Sequence, residues 1–394
     1  MNIPEFNNEP VIQFNAQQID AIEKAVAWYK RLQDGKTTKR VFFIAGYAGT
    51  GKTSIAREIV RRCVGEYGAI YIAPTGKAAS RLKQKGCRGA KTLHQFIYNV
   101  RGVNDDNEPI FSRKSKLDEK PHLVVLDEAS MVGEWDTERL LDHRIPVLAL
   151  GDIGQVPPVK AAAYFTEDAV DVLLTEIMRQ GKESNIIRAS FFVRQGNRLP
   201  PREYDDVKVL AESPRVTALK KFMGEDDQII CSYNSTKDKW NSLLRQVSGR
   251  ITPMPGIGEK VICTFNQHGP GFCNGEQGIV ISYEPVPDFE RDEDESNEIM
   301  YVNLRSLTDG KDIKVKINPL SFSTDQEVRK EAQRAVGGMD YGYVITVHKS
   351  QGSEWDNVCV LEEILRGVPY AKMMYTAITR AKKNLTVYRD LKAR

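Results

Sequence analysis

Val41-Phe42-Phe43-Ile44-Ala45-Gly46-Tyr47-Ala48-Gly49-Thr50-Gly51-Lys52-Thr53 joins a short apolar run to the pattern G-x-x-x-x-G-K-[ST]. The run from Val41 to Ala45 is brief and partly β-branched, which predicts a strand buried in a parallel sheet. Gly46, Gly49 and Gly51 let the following backbone curl so that its N–H groups, with those of Thr50 and Ser54, face a phosphate. Lys52 then reaches the β- and γ-phosphates, and the Thr53 hydroxyl is offered to Mg²⁺. Ser54 to Cys63 is predicted as a helix whose N-terminus points at the anion.

A phosphate loop of this kind needs a carboxylate on a second strand. Leu123-Val124-Val125-Leu126-Asp127-Glu128 supplies it. Asp127 is placed to hold Mg²⁺ directly or through water, and Glu128 to polarise the attacking water. Two acids after a strand also serve as helix N-terminal charges, and it is the upstream loop that gives this pair its meaning.

The chain has 394 residues, enough for two or three domains with their own cores. Its six cysteines lack C-x-x-C spacing, which argues for buried thiols in a reducing compartment rather than a disulfide framework or zinc finger. No apolar run reaches membrane-spanning length and the opening residues lack a signal-peptide pattern, so a soluble cytoplasmic protein is expected. The net charge of +3 hides a local division. Glu284 to Glu298 carries −7, leaving +10 on the remainder. Lys77 to Lys91 holds six basic residues and no acid, and Arg366 to Arg394 holds eight against Asp390 alone. Five histidines without ligand spacing give no reason to expect a metal other than Mg²⁺.

Further strings fall into order around the phosphate loop. They are Ala73-Pro74-Thr75-Gly76-Lys77-Ala78-Ala79, Lys91-Thr92-Leu93-His94, Asp127-Glu128-Ala129-Ser130 and Gly151-Asp152-Ile153-Gly154-Gln155-Val156-Pro157-Pro158-Val159. Leu174-Thr175-Glu176-Ile177-Met178-Arg179-Gln180, Thr346-Val347-His348-Lys349-Ser350-Gln351-Gly352-Ser353-Glu354 and Tyr375-Thr376-Ala377-Ile378-Thr379-Arg380-Ala381-Lys382 follow. This series resembles motifs Ia to VI of the superfamily 1 helicases, most closely the 5′-to-3′ branch containing RecD and the phage helicase Dda.

The resemblance implies an ATP-dependent DNA helicase that uses Mg²⁺ and moves 5′ to 3′ on a single strand. It assigns Arg179 and Arg380 to the γ-phosphate, where an Arg is worth roughly 10³ to 10⁵ in rate. Gln155 becomes a γ-phosphate sensor, although a turn-capping role explains the same amide. Glu354 is placed near the nucleotide. Pro74, Thr75, Lys77, Thr92 and His94 in the first lobe, with Thr346, His348 and Ser350 in the second, are placed along strand phosphates; a lone His such as His94 also serves as a packing residue. Gln18 in Phe14-Asn15-Ala16-Gln17-Gln18 resembles an adenine-reading Gln, while an N-cap at Asn15 opening a helix from Ile19 to Leu32 accounts for the same residues.

The implied fold is α/β, with two RecA-like P-loop motor domains in one chain. Residues 1–96 and 118–180 form motor domain 1A, and 181–250 with 338–394 form motor domain 2A, whose first strand is read at Gln228 to Tyr233. Short β-like runs at Gln95 to Val100 and Pro109 to Ser112 predict a pin-like hairpin insertion, 1B, over 97–117. Tyr98 or Phe111 there is a candidate fork wedge, or equally the hydrophobic anchor of the hairpin base. Short β-runs from Lys260 to Ile317 predict a small barrel at 251–337, SH3-like by the resemblance, with the acidic block as a hairpin tip. Expected partners are single-stranded and forked duplex DNA, with replication or recombination proteins beyond them, and no membrane. A monomer suffices if both lobes lie in one chain. Backbone-tracking motifs leave open an RNA helicase or an ATP-controlled nucleic-acid-binding remodeller.

Overall fold

The computed structural model describes residues 13–87, 89–103, 109–158, 162–177, 184–264, 272–287, 299–336 and 338–389. Its first sheet is built from β1 (Val41–Gly46), β2 (Ala69–Ala73), β3 (Lys91–Thr92), β6 (Leu123–Leu126), β7 (Val147–Gly151) and β8 (Val172–Leu174). The order is β3-β2-β6-β7-β1-β8, with every pairing parallel. The central strands are apolar throughout because both faces are covered. Ile44, Leu123, Val125 and Leu148 meet the helices Ala16–Gln33 and Lys52–Val64 on one side, while Phe43, Val124, Leu126 and Ala149 pack on the other with Leu93, Phe96 and Leu140.

Between β3 and β6 lies an antiparallel pair, β4 (Tyr98–Val103) with β5 (Pro109–Arg113). The predicted strand from Gln95 is a helix up to Ile97 instead. Thr92 caps the helix Leu93–Ile97 through a capping box with Gln95, and that local hydrogen bonding overrides the β-like composition.

The second sheet comprises β9 (Arg202–Glu203), β10 (Val207–Leu210), β11 (Asp227–Cys231), β17 (Val344–Thr346), β18 (Trp355–Leu361) and β19 (Ala381–Tyr388) in the order β17-β11-β18-β19-β10-β9. All pairings are parallel except that of β9. β11 is therefore not the first strand of this sheet. β10 precedes it and lies between β19 and the edge strand β9, a place its short V-K-V-L run did not announce.

After the helix Asn234–Val247 the chain enters a third sheet of β12 (Lys260–Cys263), β13 (Gln277–Pro285), β14 (Met300–Ser306), β15 (Asp312–Ile317) and β16 (Met339–Tyr341). It is antiparallel, with order β15-β14-β13-β12-β16. Among the described residues the ladder is open from β15 to β16, so the expected barrel is not closed by strand pairing. β16 extends this sheet past the expected boundary at residue 337. The helix Gln326–Val336 also belongs to this region and was not anticipated. Most of the acidic block, from residue 288 to 298, lies outside the described residues.

Candidate nucleotide site and strand cleft

The C-terminal ends of parallel strands are where an α/β sheet binds ligands, and three of them converge here. β1 runs into the phosphate loop, β6 ends at Asp127 and Glu128, and β7 ends at Asp152. Gly51 sits at φ 80°, a left-handed position an L side chain resists, and it is the residue that precedes the helix Lys52–Val64. A Cβ on Gly46 would lie 2.7 Å from the Thr50 hydroxyl, so the loop closes tightly on itself.

One cleft between the lobes is lined by Gly49, Thr50, Gly51, Lys52, Thr53 and Ser54, by Asp127, Glu128, Asp152 and Gln155, and by Gly352, Glu354, Thr379 and Arg380 from the second lobe. The sequence-predicted phosphate loop, carboxylate pair, sensor Gln and one of the two arginines are thus brought together. Lys52 Nζ donates to the Gly46 and Tyr47 carbonyls at 2.5 and 3.2 Å. Burial and the neighbouring Glu128 raise the Asp127 carboxyl above the usual range. Glu128 occupies φ 51°, ψ 38°, a strained setting for a residue with a Cβ and one concentrated at functional sites. Gln155 is buried, and its Oε1 has no hydrogen-bond partner. Such an orphaned acceptor is costly unless a ligand or water satisfies it.

Arg380 is held by three hydrogen bonds within the second lobe. Its Nε donates to Thr376 O at 2.9 Å, one terminal nitrogen to Ser353 O at 3.1 Å and the other to the Thr379 hydroxyl at 3.0 Å. Glu354 pairs across the lobes with Arg81 at 2.7 Å, and Arg81 also donates to Gly352 O at 3.1 Å. That pairing holds the Glu354 carboxyl low against the opposing effect of burial. Arg81 was missed by the sequence reading. It sits two residues beyond the quoted motif Ia string, one helical turn from Lys77. Arg179 lies outside the described residues.

Gln18 does not line this cleft. It completes a capping box with Asn15, accepting from the Asn15 N–H at 3.0 Å, and its amide nitrogen donates to Thr50 O at 2.9 Å. The amide braces the phosphate loop and completes the cap that the sequence also allows at Asn15.

The Mg²⁺ implied by the phosphate loop fits the donors present. Thr53 and Asp127 offer hard oxygens in the same cleft as Lys52, the sparse set Mg²⁺ takes when it keeps most of its waters and bridges phosphates. Among the described residues no group of three or more His, Cys, Asp or Glu side chains is placed to hold a metal unaided.

A second cleft is lined by Thr75, Lys77 and Met131 of the first lobe and by Ser232, Asn234, Thr346, His348, Lys349, Gln351 and Ser353 of the second, with Asn274 and Gly275 from the third sheet. Thr75 caps the helix Gly76–Gln84 and Thr346 caps the helix Val347–Ser350. Lys77 Nζ lies 4.6 Å from the centroid of the Trp355 ring. Burial, then the nearby Arg81, push its ammonium down to about 7, and burial lowers Lys349 and His348 as well.

Four predicted strand contacts fall elsewhere. Ser350 is fully buried and its hydroxyl donates to Val347 O at 2.7 Å, so it shapes the motif instead of facing the cleft. Pro74 leads into the Thr75 cap without lining the cleft. Thr92 is consumed by its capping box. His94 sits 3.4 Å from Asp136 and packs its ring on Tyr98 and Phe111 at the hairpin base. Tyr98 is itself an anchor: it is 6% exposed, donates to Asp136 at 3.0 Å and accepts from Arg139 at 2.7 Å. Phe111 is 42% exposed.

Comparison with known proteins agrees with this geometry. The AAA domain family matches residues 13–221 and the UvrD-like helicase C-terminal domain matches residues 341–388. The chain is 28% identical over 371 residues to the ATP-dependent RecD2 DNA helicase of Deinococcus radiodurans, covering 87% of this chain but only 46% of that protein. It is 25% identical to the RecBCD enzyme subunit RecD of Mycolicibacterium smegmatis, covering 87% and 67% of the two chains. In fold it is similar to the Pif1 helicase from Candida albicans, with TM-score 0.54, 19% identity and coverage of 96% and 94%. The Bacteroides Pif1 helicase in complex with ADP-AlF3 and ssDNA gives TM-score 0.52 at 17% identity, covering 95% and 92%. The family match over residues 13–221 leads to one conclusion: the chain belongs to the AAA domain family, with RecD proteins among its relatives in sequence and Pif1 helicases among its neighbours in fold.

Proposed function

We propose that the chain is an ATP-driven DNA helicase that moves 5′ to 3′ along one strand and separates the duplex ahead of it. One observation carries the reading: the same two segments line both clefts. The segment from Thr75 to Lys85 gives Thr75 and Lys77 to the second cleft and Ala78, Arg81 and Lys85 to the first. The segment from Thr346 to Glu354 gives Thr346, His348 and Lys349 to the second and Gly352 and Glu354 to the first. A change in lobe separation at the nucleotide therefore moves strand-facing groups of both lobes at once.

In hydrolysis, Lys52 and the loop N–H groups hold the β- and γ-phosphates while Glu128 takes the proton of the attacking water. Gln155 Oε1 orients that water, satisfying its own orphaned acceptor. Arg380, fixed by three hydrogen bonds on the second lobe, neutralises charge growing on the γ-phosphate oxygens. Thr53 and Asp127 would hold Mg²⁺, which would supply further neutralisation of phosphate charge. Loss of the γ-phosphate removes the reason for Arg380 and Gln155 to stay close, the lobes part, and the strand-facing caps at Thr75 and Thr346 separate.

The DNA preference is drawn from relatives that include an ATP-dependent RecD2 DNA helicase and Pif1 helicases studied with ssDNA and forked dsDNA, and the polarity from the motif resemblance to the 5′-to-3′ branch. A monomer in solution is expected. The deciding experiment is ATP-dependent unwinding of duplexes carrying only a 5′ tail or only a 3′ tail, with ATPase stimulation by poly(dT) against poly(U). Unwinding of the 3′-tailed duplex alone would reverse the direction, and stimulation by poly(U) alone would move the substrate to RNA.

A further inference from the structure

Trp135 lies in the first turn of the helix Glu134–Leu141 and is 63% exposed, whereas Trp28 and Trp355 are buried and Trp240 is half-buried. An exposed indole on a helix is unremarkable alone, but this one is mounted. The Arg139 guanidinium lies 4.1 Å from the Trp135 ring centroid, covering one face of the ring from one helical turn away. Arg139 also lies 5.3 Å from the Tyr98 ring centroid and donates to the Tyr98 hydroxyl at 2.7 Å, while that hydroxyl donates to Asp136 at 3.0 Å. Trp135, Arg139 and Tyr98 thus form a stack fixed at its lower end, with the outer face of the indole left to solvent.

The stack stands beside the strand cleft. Ala73 and Thr92 are register partners on adjacent parallel strands, so Thr75, which lines the cleft, and His94, which packs on Tyr98, leave the sheet at the same level. Met131 lines the cleft, and Trp135 follows four residues later on the next helix. The exposed ring is therefore tied through Arg139 to Tyr98 at the base of the hairpin formed by β4 and β5, on the helix that follows cleft-lining Met131.

We propose that Trp135 is a base-stacking platform, receiving one unstacked nucleobase of the strand at the first-lobe mouth of the cleft. A π-face backed by a guanidinium suits this role: it accepts any base and adds positive charge near the neighbouring phosphates. The hairpin aromatics play a different part. Tyr98 is buried and supports the stack from below, and Trp135 offers the face. This proposal rests on the strand-binding reading above.

The test uses the full chain with a dT oligonucleotide carrying one 2-aminopurine at successive positions. Binding is expected to quench tryptophan emission and to change 2-aminopurine emission at one or two positions only. Trp135→Ala should abolish both signals and weaken oligonucleotide affinity by roughly 5- to 100-fold, the range of one lost base–aromatic stack. The KM for ATP should be unchanged. Trp135→Phe should retain most of the affinity and the 2-aminopurine signal while losing the tryptophan signal, an outcome a purely structural role does not give. If Trp135→Ala binds the oligonucleotide within twofold of wild type while strand-stimulated ATPase persists, the platform is wrong and the strand reading stands. If wild type neither binds the oligonucleotide nor is stimulated by it, both fall together.

Discussion

The Tyr375 hydroxyl donates to Asp152 Oδ2 at 2.7 Å and accepts from the Ala48 N–H at 2.8 Å. Tyr375 stands on the second-lobe helix Tyr370–Ile378, whereas Asp152 and Ala48 belong to the first lobe. A single buried phenol therefore ties the phosphate loop to the turn that carries Gln155, whose N–H donates to Asp152 O at 3.1 Å. Gly154 makes room for it, since a Cβ there would come within 3.0 Å of the Tyr375 ring. Burial raises the Asp152 carboxyl and, with the Asp152 charge, drives the phenol well above its ordinary range, so the proton stays on Tyr375.

Removing that hydroxyl should uncouple the lobes. A hydrogen bond to a charged group is worth about 1.5–3 kcal/mol, so Tyr375→Phe is expected to lower strand-stimulated kcat roughly 10- to 100-fold. Hydrolysis in the absence of strand should fall much less. Steady-state ATPase with and without poly(dT) checks this; an equal loss in both would indicate simple damage to the nucleotide site.

Glu128 is the proposed base, and its strained backbone suggests a side chain aimed at the expense of conformational comfort. Glu128→Gln preserves shape and removes the basic site. Hydrolysis should drop by about 10²-fold or more, while affinity for a fluorescent ATP analogue stays within a few-fold of wild type. Unchanged hydrolysis would falsify the assignment.

Much of this site was legible because its chemistry is local in sequence. The phosphate loop, Asp127 and Glu128, and Gln155 each sit within a few residues of a strand end, and backbone geometry alone delivers them to one cleft. What sequence reasoning missed depends on contacts made across the lobes. Arg81 meets Glu354, and Tyr375 meets Asp152, at separations no local pattern encodes. Other candidates carry polar groups that already bond to the chain's backbone. Thr92, Ser350 and Gln18 have the right chemistry for a ligand, and each also caps or braces the backbone, a contact the sequence resemblance did not give. The longer apolar strands such as β1 and β11 were legible as strands, whereas β9, β10 and β16 are too short to carry a pattern.

Lys77 gives the strand cleft a pH dependence. Its ammonium, ordinarily near 10.5, is pushed down to about 7 by burial and by Arg81, so above neutrality the free protein holds it mostly uncharged. A strand phosphate beside it favours the charged form, and binding should then take up a proton. Affinity for dT oligonucleotides is expected to fall with rising pH above about 7, by up to about tenfold per unit where one full proton is taken up. The stability contribution has the opposite sign. Between about pH 7 and 10.5 the unfolded chain binds more protons at this position than the folded one, so stability rises with pH. Titration calorimetry at pH 8 in buffers of different ionisation enthalpy measures the proton count, and Lys77→Met should reduce it.

Arg245 and Glu259 join the second lobe to the third sheet through a buried ion pair with Nε 3.0 Å from Oε1, Glu259 being 0% exposed. Arg245 also donates to the Thr252 and Met254 carbonyls at 2.7 and 3.0 Å and to the Tyr341 hydroxyl at 3.0 Å, and Glu259 accepts from the Gly256 N–H at 2.7 Å. These bonds set the angle at which the chain leaves the helix Asn234–Val247 for β12. Glu259→Gln leaves the guanidinium buried without its counter-charge and should cost about 3–5 kcal/mol. The loss should appear in urea unfolding followed by Trp240 and Trp355 emission in a Trp28→Phe, Trp135→Phe background. Pairing Glu259→Leu with Arg245→Met removes both charges and should recover a large part of that stability, because the penalty lies in the stranded charge. If the double variant is no more stable than Glu259→Gln, the carbonyl and hydroxyl bonds made by Arg245 hold this joint, and the ion pair does not.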